Sequence, residues 1–365
     1  MSGGIDSSIT AVMLHEEGYE VIGLTMKTWD YASSNPNGKE TGCCSLDSIN
    51  DARALAVGKG FPHHILDIRG EFGDFVIDNF VDEYMAGRTP NPCILCNTHI
   101  KWEALLKRAD MLDCAYIATG HYANTRIENG RHVISKGIDT AKDQSYVLWG
   151  LSQESLARTR FPLGPFRKEE IRAMAVEMGF EELAAKSESY EICFVPGNDY
   201  RAFLKHRIPG LEEKMAGGRF ISTDGKELGP HKGYPFYTVG QRKGLDIALG
   251  TPHFVTKIIP ESNTVVLGTE DDLRKQRMLV KNINLVKFVS LKEPMEAITK
   301  IRYKDPGTWS TITQQGHSME VDFHRPVKGV APGQSAVFYD GDDVIGGGFI
   351  AKESNRVTPD LKYMV

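Results

Sequence analysis

The sequence predicts an α/β protein in three parts: an N-terminal domain built on a parallel sheet, a small mixed connector, and a C-terminal antiparallel β-barrel. Three observations predict it. Helical and strand-like patterns alternate through the first half, Gly-rich turns separate short β-rich runs after Pro196, and almost no helical period survives beyond Arg274. Strands alternating with helices imply a parallel sheet with helices on both faces. Short strands parted by glycine turns imply a barrel. The expected domains are 1–195, 196–273 and 274–365.

Taken in order, a helical segment near Ser8–Glu17 ends at Gly18, and the apolar run Val21–Thr25 follows. Ser45–Lys59 reads as a second helix, acidic at its start and stopped by Gly60. His64–Ile68 reads as a strand, Phe72–Met85 and Ile100–Met111 as helices, and Cys114–Thr119 as a short buried strand. Ile171, Met174, Ala175 and Met178 fall at i, i+3, i+4 and i+7, the apolar face of one more helix. In the second half, turns at Gly217-Gly218, Asp224-Gly225 and Asp340-Gly341 set off β-rich runs such as Thr264–Leu267, Ala336–Tyr339 and Ile345–Ile350.

A chain of 365 residues with 41% hydrophobic and 25% charged residues has room for two or three ordinary globular domains. No apolar stretch approaches the roughly 18 residues of a membrane span, so no membrane role is expected. The first residues, MSGGIDSSIT, show neither a basic region nor a cleavage site, so a cytoplasmic protein is expected. Residues 1–195 hold 19 of the 43 Lys and Arg but 28 of the 48 Asp and Glu. The remainder is net basic, which points to a polyanion held mainly by the later domains.

Ser2-Gly3-Gly4-Ile5-Asp6-Ser7-Ser8 is the first chemical signal. Two glycines let backbone amides approach a ligand, hydroxyls add donors, and a helix starts at once, so its N-terminus favours a phosphate. No Gly-Lys-Ser/Thr follows, so this is not a Walker A loop. It resembles the SGGxDS loop of the PP-loop ATP pyrophosphatases. That resemblance implies that Ser2, Gly3, Gly4, Ile5, Asp6 and Ser7 bind ATP, with Asp6 placed to help hold Mg²⁺. Such a loop follows a buried central strand in that family, and here nothing precedes Met1 in the sequence.

Six cysteines, at 43, 44, 93, 96, 114 and 193, are not expected to form a structural disulfide framework. Cys114 lies in an apolar run and reads as a small core residue. Cys93 and Cys96 lie in a stiff, two-proline loop, Gly87–Asn97, where Asn97 can cap a following helix and a helix N-terminus would stabilise a thiolate. Cys43 and Cys44 lie in a Gly/Asn-rich stretch and read as a plain loop or a thiol relay.

GRTPNPCILCN, Thr119–Ala123 (TGHYA), Lys142–Tyr146 (KDQSY), Ile192-Cys193-Phe194, Tyr237–Leu245 (YTVGQRKGL) and Arg302-Tyr303 occur together and in order. This set is similar to that of the tRNA-specific 2-thiouridylases. The resemblance covers almost the whole chain and implies ATP-dependent 2-thiolation of a wobble uridine. It places Met26 and Gly120 on the adenosine, and Asn91, Pro92 and Cys93 on the target base. Lys142, Asp143, Gln144, Arg302 and Tyr303 fall at tRNA-contacting positions. It makes Cys193 a persulfide carrier loaded by a sulfur-donor protein, a cysteine desulfurase or a sulfur relay protein, and Cys96 its partner in a transient disulfide.

Many relatives carry Asp at the position of Cys93. Cys93, Cys96 and Cys193 therefore offer three thiolates, the ligand count of a [4Fe–4S] cluster with one open iron, as an alternative sulfur route. Zinc would need a fourth ligand. Gln241-Arg242-Lys243-Gly244 is a basic turn suited to phosphate. Two other readings stay open at this level: a PP-loop ligase using ammonia, which leaves the cysteines without a task, and a tRNA-binding paralogue without activity.

Overall fold

The computed structural model describes residues 1–29, 45–186 and 192–352. Cys43 and Cys44 lie outside the described residues. The strands are β1 (Gly23–Lys27), β2 (His63–Asp67), β3 (Ile117–Ala118), β4 (Ala123–Glu128), β5 (Arg131–Lys136), β6 (Thr159–Arg160), β7 (Gly218–Ser222) and β8 (Glu227–His231). They continue with β9 (Phe254–Ile259), β10 (Thr264–Gly268), β11 (Arg274–Leu285), β12 (Met295–Lys300), β13 (Thr308–Gln315), β14 (Ser318–Lys328), β15 (Ser335–Asp340) and β16 (Asp343–Ile350).

Local chemistry explains the first helices. Ser45 caps the helix Leu46–Lys59 by accepting the Ser48 amide at 3.2 Å, and Gly60 ends it in the left-handed region. The opening helix, Ile5–Glu16, starts three residues before the expected Ser8, and Gly4 at its N-cap supplies no side-chain oxygen to its amides. The expected helix at Phe72–Met85 starts at Arg69 and passes through a π-helical turn at Gly73–Ile77. The next begins at Pro92, turns π-helical over Cys96–Lys101, and is regular over Trp102–Met111.

The expected parallel sheet is present as two parallel ladders, β1 with β2 and β3 with β6, which no strand among the described residues joins. The Ser2–Ser7 turn fills the space between them. Met1 bonds β1 at Leu24 and Thr25, while Gly120, just beyond β3, backs onto Asp6. Cys114–Thr119 is accordingly not a buried strand: only Ile117 is buried, Tyr116 is exposed, and Cys114 is half-buried against the core. His63 reaches across the ladder to Thr25 Oγ1 at 2.7 Å.

The connector is a four-stranded mixed sheet ordered β8-β7-β10-β9. Beyond it β11 to β16 close into a six-stranded antiparallel barrel, because β11 pairs with both β14 and β16. An irregularity in β11 between Lys281 and Asn284, with Asn282 at φ 52°, bends the strand so that it can serve both neighbours. The hairpin β4–β5 of the first domain adds to the barrel through β5 and β16. Nothing in the local sequence pattern announced that addition.

Two cores tie the parts together. One joins Phe72, Phe80 and Cys96 of the first domain to Phe203, Phe220 and Val265 of the connector. The other joins Trp102, Tyr146 and Trp149 to Val286, Val337 and Tyr339 of the barrel. No helix among the described residues is long and apolar enough to cross a membrane.

At the hairpin–barrel seam Arg126 grips Asp343 through both nitrogens, at 2.7 and 2.8 Å, and Lys287 adds a bond at 2.7 Å. The Arg126 guanidinium, helped by Lys287, holds the Asp343 carboxyl at about 2 against its ordinary 3.8, with burial opposing. Folding lowers this pKa, so the stabilisation is full above the unfolded value and is lost as pH falls through the folded one. Asp343→Asn is expected to cost about 2 kcal/mol at neutral pH in denaturant titrations. The gap from wild type should close as pH drops from about 4 toward 2.

Candidate functional site

The phosphate loop is held from within and from behind. Ser7 Oγ accepts the Ser2 amide at 2.9 Å, lies 3.0 Å from Ser2 Oγ and donates to the Gly4 carbonyl at 3.3 Å. Gly3 sits at φ +68°, and a Cβ there would lie 2.2 Å from the Ser48 carbonyl oxygen, so only glycine fits. Gly120 passes equally close: its Cβ would stand 2.7 Å from the Asp6 carbonyl carbon and 2.9 Å from the Ser7 amide nitrogen. The TGHYA segment is thus the back wall of the loop.

Asp6 is not an isolated metal ligand. Its Oδ1 accepts from Lys168 Nζ at 2.6 Å and from the Tyr122 hydroxyl at 2.8 Å. The Lys168 side chain is 7% exposed while that of Asp6 is 34% exposed, so a half-buried pair keeps this cation next to the Ser2–Ser7 loop. Lys186 adds a second cation, donating to the Gly3 carbonyl at 3.2 Å. Sequence reasoning missed Tyr122, Lys168 and Lys186. Tyr122 lay inside a quoted motif, whereas nothing local marks Lys168, which lies 162 positions from Asp6. Met26, at the end of β1, packs against both cores.

The 88–97 segment runs between the first domain and the barrel. The Thr89 amide donates to the Pro332 carbonyl at 2.8 Å, and Gln334 Nε2 donates to the carbonyls of Thr89 and Pro90 at 3.1 and 3.0 Å. Arg88 pairs with Glu83 through Nε at 2.7 Å. Asn91 and Pro92 then lead into the helix, but Asn97 does not cap it; its amide donates to the Val147 carbonyl at 3.0 Å. Cys96 is correspondingly one turn into a continuous helical run rather than at a helix N-terminus. The dipole argument for its thiolate therefore fails.

The three site cysteines occupy different surroundings. Cys93 is exposed to solvent yet crowded by neighbouring protein atoms. Desolvation raises its thiol pKa, with Lys101 pulling the other way. Cys96 is buried in the aromatic core, and Cys193 packs against that same core beside Phe194. Phe194 is pinned edge-on by Phe72, Phe80 and Phe203 at 5.2–5.7 Å. Among the described residues no three His, Cys, Asp or Glu side chains gather to hold a metal ion. Cys93 is exposed and Cys96 buried, so the expected [4Fe–4S] ligand set of Cys93, Cys96 and Cys193 is not gathered in this arrangement.

His121 lies between Trp102 and Phe161 and bonds Thr119 Oγ1 at 2.9 Å. Its pKa is pushed down to about 3, chiefly by burial and secondly by Lys101, so the ring is neutral.

The remaining expected contacts divide. Asp143 is buried, and its carboxylate accepts the Gly137 and Ser145 amides and the Ser145 hydroxyl at 3.0–3.3 Å. Gln144 Oε1 accepts the Tyr122 amide at 3.0 Å. Both side chains brace the protein. Lys142 is half-buried beside them, and Arg302 and Tyr303 are exposed. The Tyr303 hydroxyl donates to the Asp143 carbonyl at 3.0 Å, so the barrel turn and the KDQSY loop form one surface. Arg242 and Lys243 are exposed in a turn that Gln241 locks by donating to the Lys243 carbonyl at 2.9 Å.

Comparison with known proteins follows the same division. Residues 1–197 match the tRNA methyl transferase HUP domain, 201–269 the tRNA methyl transferase PRC-barrel domain, and 275–350 the aminomethyltransferase β-barrel domain. A tRNA-specific 2-thiouridylase MnmA of Cytophaga hutchinsonii is 65% identical over 351 residues, 96% of this chain and 95% of the relative. Proteins of the same name from Amoebophilus asiaticus and Salinibacter ruber are 64% and 56% identical, each across 96% of this chain and 93% and 92% of their own.

Gly120→Ala tests the back wall. The added methyl must push the loop backbone, an overpacking cost of about 1–3 kcal/mol. ATP affinity by calorimetry is expected to fall about tenfold or more while the far-ultraviolet spectrum stays native; unchanged affinity would separate Gly120 from the nucleotide site.

Proposed function

The chain belongs to the family of tRNA-specific 2-thiouridylases of the MnmA type, and from that membership we propose that it replaces O2 of a wobble uridine in tRNA by sulfur at the expense of ATP. The observation that carries the sulfur step is the common aromatic core beneath Cys96 and Cys193. Two thiols remote in sequence and served by one rigid cluster suit a relay in which each acts on the other.

Uridine O2 attacks the α-phosphorus of ATP, forming an O2-adenylate and releasing pyrophosphate. The loop amides and hydroxyls of Ser2–Ser7 hold the departing phosphates, with Lys168 and Lys186 as fixed counter-charges. Met26 and Gly120 border the adenosine. Mg²⁺, when bound, would neutralise phosphate charge, with Asp6 as the nearest carboxylate. Asn91, Pro92 and the protonated Cys93 line the place of the target base, and the neutral His121 of the TGHYA segment can donate or accept a hydrogen bond without adding charge.

Sulfur arrives as a persulfide on Cys193, loaded by a cysteine desulfurase or a relay protein in the cytoplasm. The Cys96 thiolate attacks the Cys193 sulfur, breaks the persulfide bond and leaves a disulfide between the two. Hydrosulfide so released adds to C2 and expels AMP, and its proton returns to the ring nitrogen that lost one during adenylation. The sulfane sulfur gains two electrons, the thiol pair loses two, and an external thiol reductant restores the enzyme. Lys142, Arg302 and Tyr303 hold the tRNA backbone, while Asp143 and Gln144 shape the loop that presents them.

Cys193→Ser decides the matter. Thiolation of tRNA, read by mass spectrometry of digested nucleosides, is expected to vanish, while tRNA-stimulated ATP–pyrophosphate exchange and tRNA affinity stay within about twofold of wild type. Retained thiolation would defeat the relay. Anaerobically purified wild-type protein is expected to be colourless, iron-free and active; brown protein with about four irons per chain would restore the cluster route.

A further inference from the structure

The barrel face next to the KDQSY loop carries an exposed indole for which the thiolation chemistry has no use. Trp309 is 55% exposed on β13, while its neighbours Thr308 and Ser310 point inward. Strand register sets its surroundings: Trp309 lies opposite Ile298 on β12, and Ile298 lies opposite Tyr339 on β15. That row ends at the first domain, because the Tyr339 hydroxyl lies 3.1 Å from Ser145 Oγ. Two strand spacings, about 10 Å, separate Trp309 from the residue that holds the loop.

The rim of this face is cationic. Lys300, the next outward residue on β12, lies with its Nζ 5.5 Å from the Tyr339 ring, and Lys136, paired with Asp342 at 3.1 Å, approaches the same ring at 5.0 Å. Arg302 and Lys304 are exposed in the turn that leads into β13. Asp305 in that turn is taken up by the amides of Ile301 and Gly307, and Glu296 on the same face by His324 at 2.8 Å and Thr311 at 2.7 Å. An apolar ring face bordered by cations whose nearby acids are already engaged matches an unpaired base on a phosphate backbone.

Resting on the thiolation reading, we propose that Trp309 is a stacking platform for an unpaired base of the bound tRNA, extending the contact surface from Tyr303 across β13. Stacking against an indole tolerates any base, so this contact adds affinity and orientation and leaves sequence choice to the residues around Cys93. Trp309 is a positioning residue, not part of the sulfur chemistry.

The test uses the full chain and unmodified substrate tRNA. Of the four tryptophans, Trp102 and Trp149 are 0% and 4% exposed and Trp29 is half-buried, so tRNA-dependent quenching reports chiefly on Trp309. Wild type is expected to be quenched, and Trp309→Phe to lose most of that quenching with affinity within about threefold of wild type. Trp309→Ala should bind tRNA about tenfold more weakly, with the KM for ATP unchanged. Undiminished quenching in Trp309→Phe, or affinity of Trp309→Ala within twofold of wild type, overturns the proposal. If Arg302→Ala weakens tRNA binding and Trp309→Ala does not, stacking is wrong and the thiolation reading stands. Wild-type protein that neither binds nor thiolates tRNA overturns both.

Discussion

The grip of the barrel on two loops of the first domain is the constraint from which the site takes its shape. The Pro332–Gln334 turn holds the backbone of Thr89 and Pro90 through three hydrogen bonds, and Tyr303 and Tyr339 hold Asp143 and Ser145. Each bond contributes only about 1 kcal/mol net. Several of these groups are buried, however, and a partner lost there leaves a desolvated polar atom. The shared core of Trp102, Tyr146, Trp149 and Tyr339 makes the attachment rigid. A barrel free to rock would move the Arg302–Tyr303 turn relative to Cys96; docked this way, the barrel fixes the distance between them.

Inside that frame the helix that carries Cys93 and Cys96 is unusual. Its π-helical turn at Cys96–Lys101 packs against a second π-helical turn at Gly73–Ile77. Such turns widen a helix locally and are commonly found at functional sites. Here one of them opens at Cys96, which lies within an aromatic core. Phe194 anchors the chain immediately after Cys193, so that thiol is fixed on one side.

Legibility in the sequence followed the range of the forces. Ser45, Gly60 and the glycine-parted strands of the barrel are local features, and each element they mark is present. The loop at Ser2–Ser7 was legible because glycine spacing and helix polarity act within a few residues. The pairs Asp6–Lys168 and Arg126–Asp343, and the addition of β4–β5 to the barrel, join residues far apart in the chain, and no periodicity encodes them. Motif resemblance named Asp143 and Gln144 but not their hydrogen bonds to the amides of Ser145 and Tyr122, which no motif encodes. The cysteine count likewise offered a ligand set without placing its sulfurs.

The measurement that bears most directly on the relay is one turnover without reductant. Protein carrying a persulfide on Cys193 is mixed with ATP and tRNA under anaerobic conditions, and peptides and nucleosides are quantified together. One Cys96–Cys193 disulfide is expected for each thiolated uridine. Thiolated tRNA formed while both cysteines remain separate thiols would contradict the account.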